Sequence, residues 1–276
     1  MPEGPEIKRA ADRLAKVLVG KRLVQVNFGL ERLETFEKEL TNTRIKRMET
    51  RGKGLLTFFD NGKVMFTHNQ LYGKWITCTV DAIPVSNRQV RVALYTKTHV
   101  AILYSASDIE VVDENDLNSI PFLSRLGPDV LDDQLKREAV LKRLSDQRFA
   151  GRSISSLLLD QSFFAGIGNY LRSEILFEAG LTPFKRLKDL RAEQKTKLAD
   201  AILSISRRAY RDSGNCIKRG LRDTIKNSSN ELVARGDPRY MVFDRQGLAC
   251  RLCENKIEKT TLAGRRLYYC PDHQHD

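Results

Sequence analysis

Proline at position 2, with Glu3 beside it and Glu6 after Gly4-Pro5, sets a secondary amine next to two carboxylates at the start of the chain. If Met1 is removed, Pro2 becomes the N-terminus. Its amine can then add to a sugar aldehyde carbon and leave an iminium that stays cationic without further protonation. An α-amino group has an ordinary pKa of about 7.7–8.0, so a neutral fraction exists near neutral pH without the burial that a lysine nucleophile needs. Carboxylates beside such a nucleophile can donate and accept the protons of the surrounding steps. On these residues alone a plain helix start is the simpler reading, with Pro2 serving Met1 removal and Glu3 and Glu6 decorating the first turn.

A second group with chemical potential lies near the other end. Cys250 and Cys253 are separated by two residues, and after sixteen intervening residues comes Cys270-Pro271-Asp272-His273. Two short ligand pairs joined by a segment of hairpin length are the signature of a tetrahedral zinc site. Thiolates of Cys250, Cys253 and Cys270 with a His273 nitrogen would close the coordination sphere, so the metal is expected to be structural. His275 competes as fourth ligand at a looser spacing. Five cysteines, an odd number, argue against a disulfide framework. Cys78, within Trp75-Ile76-Thr77-Cys78, reads as a core residue, and Cys216 has no identifiable partner in the sequence.

The third group is Leu157 to Tyr170, which reads as a helix, a double turn bearing Gly166 and Gly168, and a new helix opening at Asn169. Backbone N–H groups at such a helix start, with the Asn169 amide beside them, suit a phosphate. An ordinary helical hairpin would use the same glycines.

Several kinds of element must position these groups. The first helix is expected from about Pro5 to Gly20, with Ile7, Ala10, Ala11, Leu14, Val17 and Leu18 on one face. Short strands follow at 23–28, 44–50, 55–59, 64–67, 90–95, 100–104 and 109–112, with Asn61-Gly62 as a turn, which suggests a sandwich or barrel-like sheet. Beyond Pro121 the pattern is helical, over 134–144, 154–159, 169–179 and 193–210. Residues 212–239 are polar and glycine-dotted, as a long mobile loop would be.

Composition bounds the partner. The 276 residues carry 47 Lys and Arg against 35 Asp and Glu, a net charge of +12. Of these, 28 basic and 19 acidic residues fall in 131–276, so the excess is in the second half. Such a balance points to a polyanion such as nucleic acid. No run approaches a membrane span and no secretory signal opens the chain, so no membrane partner is expected and the cytoplasm, at the nucleoid, is the expected location.

Taken together, Pro2-Glu3-Gly4-Pro5-Glu6, Asp160-Gln161, Gly166-Ile167-Gly168-Asn169-Tyr170 and the cysteine module resemble the formamidopyrimidine-DNA glycosylase and endonuclease VIII family of base-excision repair enzymes, in the family's order and over nearly the whole chain. The resemblance implies an α+β fold: an N-terminal β-sandwich with flanking helices (1–120), a helix-two-turn-helix domain (121–240) and a C-terminal zinc finger hairpin (241–276). It implies that Pro2 attacks C1′ of a damaged nucleotide, that Glu3 moves protons, that Glu6 supports it, and that Lys53, in a hairpin spanning 49–56, meets a phosphate or sugar oxygen. One structural zinc, a monomeric protein, and double-stranded DNA with oxidised bases or abasic sites complete the expectation.

Gln70-Leu71-Tyr72 is similar to the endonuclease VIII side of the family, where such a trio fills the gap left by a flipped base. Core packing is the alternative for Leu71 and Tyr72. Residues 104–110 and 258–262 resemble the same branch, and Arg265 aligns with a phosphate-gripping arginine of the finger, with Arg266 adjacent. Two features depart from the pattern. His273 stands where the family commonly has cysteine, and the 214–239 segment is long, with Gly220-Leu221-Arg222-Asp223 similar to the purine-directed branch. The expected activity is a bifunctional glycosylase and lyase acting on oxidised pyrimidines by β,δ-elimination. The alternatives are an oxidised-purine enzyme of the same family and a catalytically silent DNA-binding relative.

Overall fold

Short, largely apolar strands give residues 2–125 two sheets that share one core. The computed structural model describes residues 2–228 and 231–275, apart from the Leu232 side chain. Met1, whose removal the Pro2 chemistry requires, lies outside the described residues, as do Ser229 and Asn230 of the expected polar loop and Asp276 of the finger. The chain divides into two compact units, Met1–Arg125 and Leu126–Asp276.

In the first unit, helix α1 (Gly4–Leu18) precedes β1 (Gln25–Phe28), helix α2 (Thr35–Leu40), β2 (Ile45–Arg51), β3 (Gly54–Phe59), β4 (Lys63–His68), β5 (Lys74–Thr79), β6 (Val90–Tyr95), β7 (His99–Tyr104) and β8 (Asp108–Asp113), and a short α3 (Pro121–Ser124) ends it. The strands form two antiparallel sheets, ordered β2-β3-β4-β8 and β1-β6-β7-β5. Phe59, Met65 and Ile109 from the first sheet meet Val92, Leu94 and Leu103 from the second, and Ile7, Ala11, Leu14 and Leu18 of α1 join the same core. The architecture is therefore a β-sandwich.

Strand β5 and helix α2 carry little sequence signal. Within Lys74–Thr79 only Trp75 is buried, and within Thr35–Leu40 only Leu40, so neither has a clear periodic stripe. Cys78 is half-buried on the outer face of β5, beside a patch formed by Ala93, Val100 and Ile102, and not in the main core as its apolar neighbours suggest.

The second unit contains α4 (Arg137–Leu144), α5 (Ile154–Leu157), α6 (Asn169–Glu178), α7 (Ala192–Arg211), α8 (Arg219–Lys226), α9 (Glu231–Ala234), β9 (Glu258–Leu262) and β10 (Arg265–Tyr269). Helix α6 packs on α7 and on β10, so the finger hairpin lies against the helical core, into which Leu267 inserts.

Residues 212–239, expected as an irregular loop, are largely built around α8. Ile217, Leu221 and Ile225 recur every four residues and pack with Met241 and Val242, a stripe that polar neighbours conceal in the sequence. Arg245, wholly buried, donates to Arg235 O at 2.7 Å and Ala249 O at 2.8 Å, tying the end of this segment to the approach to the finger. Burial pulls its guanidinium down to about 10. Cys216 is a core residue whose N–H donates to Arg239 O at 2.9 Å.

Candidate functional site

Helix α1 begins at the residues of chemical interest. Glu3 is its N-cap in extended conformation, and the Glu3 carbonyl accepts from the N–H groups of Glu6 at 3.0 Å and Ile7 at 3.1 Å. The Glu6 carboxylate reaches back to accept the Glu3 N–H at 3.1 Å, closing a capping box, and takes a second bond from Arg9 at 2.7 Å. Glu3 itself is 3% exposed, an unusual burial for a carboxyl, while Pro2 just before it is half-buried. The N-terminal end of a helix favours negative charge, so a fifteen-residue α1 stabilises a carboxylate at this position.

Lys53 stands in the two-residue turn between β2 and β3, where Arg51 pairs with Gly54 and Gly52 takes the left-handed φ of 61°. Glycine at the first position of such a turn matches the twist of the flanking strands. Helix α1 lies against β2 and β3, and its C-terminal end is pinned to the start of β2 by the Gly20 N–H to Ile45 O bond of 2.8 Å. Fifteen helical residues span roughly 22 Å and seven strand residues roughly 20 Å. The first turn of α1 and the Lys53 hairpin thus lie toward the same end of the sandwich.

Gln70, Leu71 and Tyr72 form the turn between β4 and β5. Leu71 is 51% exposed and Tyr72 67%, which rules out core packing for both.

In the second unit, Gly168 caps α6 and Asn169 is its first residue. Gln161 shapes the turn before it: its Nε2 donates to Leu159 O at 3.0 Å and Ile167 O at 2.9 Å, and its Oε1 accepts from Gly166 at 3.1 Å. Asp160 accepts from the Ser162 N–H at 2.9 Å, Ser162 Oγ at 2.7 Å and Arg152 Nη1 at 2.7 Å. The Asp160-Gln161 pair therefore holds the double turn that presents the helix start, with Gly166 at φ 98°.

Arg265 and Arg266, both exposed, open β10 after the tight Ala263-Gly264 turn. Alternation sends their side chains to opposite faces of the hairpin. Two residues not singled out in the sequence hold these pieces together. Arg172, wholly buried, donates to Asn169 Oδ1 at 2.9 Å, Arg266 O at 2.9 Å, Leu262 O at 3.2 Å and Arg265 O at 3.3 Å. Glu174, also buried, accepts the N–H groups of Met241, Val242 and Phe243 at 2.8, 2.9 and 2.9 Å. Burial pushes its carboxyl up, against the pull of those three donors. Two charges inside the apolar run Tyr170–Phe177 were the available signal, since a buried charge persists only when paired.

The sulfur atoms of Cys250, Cys253 and Cys270 lie within 4.8 Å of one another, with Cys253 and Cys270 at 3.4 Å. Among the described residues no histidine joins that triangle: the His273 ring lies 4.4 Å from the Phe177 ring, and His275 Nδ1 faces Asp272 O at 3.3 Å. The Leu252 N–H points at Cys250 Sγ at 3.5 Å, as in a metal-binding knuckle. Burial raises the Cys250 thiol and pushes Cys270 up to about 12, so thiolates at these two positions need a compensating cation. Three converging soft donors fit a metal ion.

Comparison with known proteins agrees with this arrangement. The family model for the formamidopyrimidine-DNA glycosylase N-terminal domain matches residues 1–114, and that for the H2TH domain of the same glycosylase matches 126–219. Endonuclease 8 of Salmonella enteritidis PT4 is 46% identical over 272 residues, covering 98% of both chains, and that of Salmonella paratyphi A is 47% identical over 271 residues with the same coverage. Among solved structures, Lactococcus lactis formamidopyrimidine-DNA glycosylase non-covalently bound to abasic-site DNA superposes with a TM-score of 0.81 at 23% identity, covering 99% of this chain and all of that one. The wild-type Lactococcus lactis protein with an oxidised-pyrimidine DNA gives 0.82 at 23% identity, covering both chains fully.

Proposed function

Because this chain belongs to the formamidopyrimidine-DNA glycosylase and endonuclease VIII family, we propose that it excises oxidised pyrimidines from double-stranded DNA through a Schiff base on Pro2. It is a DNA glycosylase and apurinic/apyrimidinic lyase. The observation that carries the catalytic assignment is the Glu3 carboxyl, buried in the first turn of α1 one residue from Pro2.

In this reading the Pro2 nitrogen attacks C1′ as the bond from C1′ to the base breaks, the base leaving with the bonding pair and taking up the proton that the Pro2 nitrogen gives up. Glu3 protonates O4′, and opening of the sugar ring yields the iminium. Removal of a C2′ proton expels the 3′ phosphate, a second elimination expels the 5′ phosphate, and water releases Pro2. Glu6 holds the first turn of α1 through the Glu3 N–H, and Lys53 meets a phosphate or sugar oxygen. Gln70, Leu71 and Tyr72 fill the gap left by the flipped nucleotide, while Asn169 and Arg265 grip phosphates.

One structural zinc, bound by Cys250, Cys253 and Cys270 with His273 completing the set, would hold the finger hairpin in shape. The protein acts as a monomer in the cytoplasm, at the nucleoid.

Lesion choice follows from extrusion cost. Thymine glycol is non-planar and stacks poorly, so an exposed wedge suffices for its capture, whereas 8-oxoguanine stacks well and needs help from a capping segment. Single-turnover nicking of matched duplexes should therefore be faster for thymine glycol and 5-hydroxycytosine than for 8-oxoguanine opposite cytosine. The purine-directed reading is favoured by one feature, the helical order of α8 around Gly220-Leu221-Arg222-Asp223. A reversed ranking that disappears when residues 217–230 are shortened would establish it.

A further inference from the structure

The turn at residues 70–72 is too exposed to be held by packing, yet a wedge must be rigid to replace a stacked base. Tyr72 borders a cavity of about 320 Å³ that Arg88, Gln89 and Ser107 also line. What fixes the turn is hydrogen bonding. The Gly73 N–H closes on Asn69 O at 2.7 Å, and a Cβ on Gly73 would sit 2.4 Å from that same oxygen, so only glycine completes the loop. Gln70 sits at φ 52°, a left-handed conformation that is unfavourable for a non-glycine residue.

Two side groups from distant segments compensate. Arg88, on the segment between β5 and β6, donates from Nη1 to Tyr72 O at 3.2 Å. Ser107, between β7 and β8, donates to Gln70 Oε1 from Oγ at 3.1 Å and from its N–H at 3.3 Å. These segments are joined in turn: the Ser105 N–H donates to Gln89 O at 2.9 Å, and Arg32 Nη2 donates to Ser107 O at 3.1 Å and Ile109 O at 2.7 Å. The result is a closed frame around the turn.

We propose that Arg88 and Ser107 are positioning residues that preset the Gln70-Leu71-Tyr72 wedge, so that the cost of ordering it is met before DNA binds. The proposal rests on the wedge role assigned to that trio. Presetting matters only where a base must be pulled from a stack, so its loss should slow excision from a duplex and spare excision from a single strand.

The test uses single-turnover excision of 5-hydroxycytosine from matched duplex and single-stranded oligonucleotides by the full-length protein. Arg88→Ala and Ser107→Ala should each lower the duplex rate about 5-fold, the loss expected from one hydrogen bond. The single-strand rate and the thermal midpoint should stay at wild-type values, and Arg88→Lys should recover part of the duplex rate. Tyr72→Ala should show the same duplex-selective loss. Adding Arg88→Ala to the Leu71→Ala and Tyr72→Ala pair should then cost less than about 2-fold more, because the backbone that Arg88 holds no longer carries a wedge. Full additivity, or equal losses on both substrates, would mean that Arg88 acts on DNA directly and would overturn the proposal alone. A Tyr72→Ala and Leu71→Ala pair with an unchanged duplex rate would instead overturn the wedge role and the proposal with it.

Discussion

Arg172 Nη2 lies 2.9 Å from Asn169 Oδ1 and 2.9 Å from Arg266 O, so one buried guanidinium joins the start of α6 to the finger hairpin. The amide offered at the helix start and the arginines offered by the hairpin are thereby held in one rigid relation. Arg172→Ala should destabilise the second unit by about 2–4 kcal/mol, since it leaves a cavity at a wholly buried side chain and removes four hydrogen bonds at once. Its effect on duplex affinity should exceed that of Asn169→Ala, and the double variant should be no weaker than Arg172→Ala by more than about 2-fold. Denaturant unfolding together with equilibrium binding checks both points.

Arg265→Ala should weaken binding by a similar factor whatever the DNA sequence, and should reduce the slope of log affinity against log salt by roughly one unit. Asn169→Ala should weaken binding with little change in slope, because the amide is uncharged. Titrations at several salt concentrations separate the two.

For the cysteine cluster, metal analysis should return one zinc per chain. Cys253→Ser or exhaustive chelation should lower DNA binding by loosening the hairpin that carries Arg265, while the β-rich first unit keeps its strand signal in circular dichroism. Full DNA affinity in a metal-free preparation would refute the structural role of the ion.

Glu3→Gln should leave duplex binding within about 2-fold of wild type and slow base removal by roughly 10²–10⁴-fold, the range for losing a positioned proton-transfer group. Single-turnover base release, measured apart from strand nicking, reads this directly. Normal release would remove Glu3 from the chemistry.

The sequence disclosed those parts of the site whose partners are local. Cys250 and Cys253 occupy one knuckle, so spacing marks them, whereas Pro2, Glu3 and Glu6 in one turn and Lys53 in one hairpin gained their roles from the family resemblance. The sandwich was legible because its strands are short apolar runs set off by turn signals, as Gly54–Phe59, buried throughout, is by the Asn61-Gly62 turn that follows it. What escaped depends on contacts far apart in the chain. The hairpin carbonyls that Arg172 holds lie about 90 residues away and the partners of Glu174 nearly 70, and nothing near either residue announces them. Helix α8 was hidden because its stripe is three residues wide in a polar stretch, and β5 because it buries one side chain on a sheet edge. The fourth zinc position, His273, was read from spacing, and its ring lies 4.4 Å from the Phe177 ring.

The central claim, that Pro2 is the nucleophile, is tested most directly by borohydride trapping on an abasic-site duplex followed by peptide mapping. Reduction converts an iminium into a stable amine, so the account predicts one covalent DNA adduct located on residue 2, and none when Met1 is retained. An adduct mapped to Lys53, or trapping that persists with Met1 in place, would contradict it.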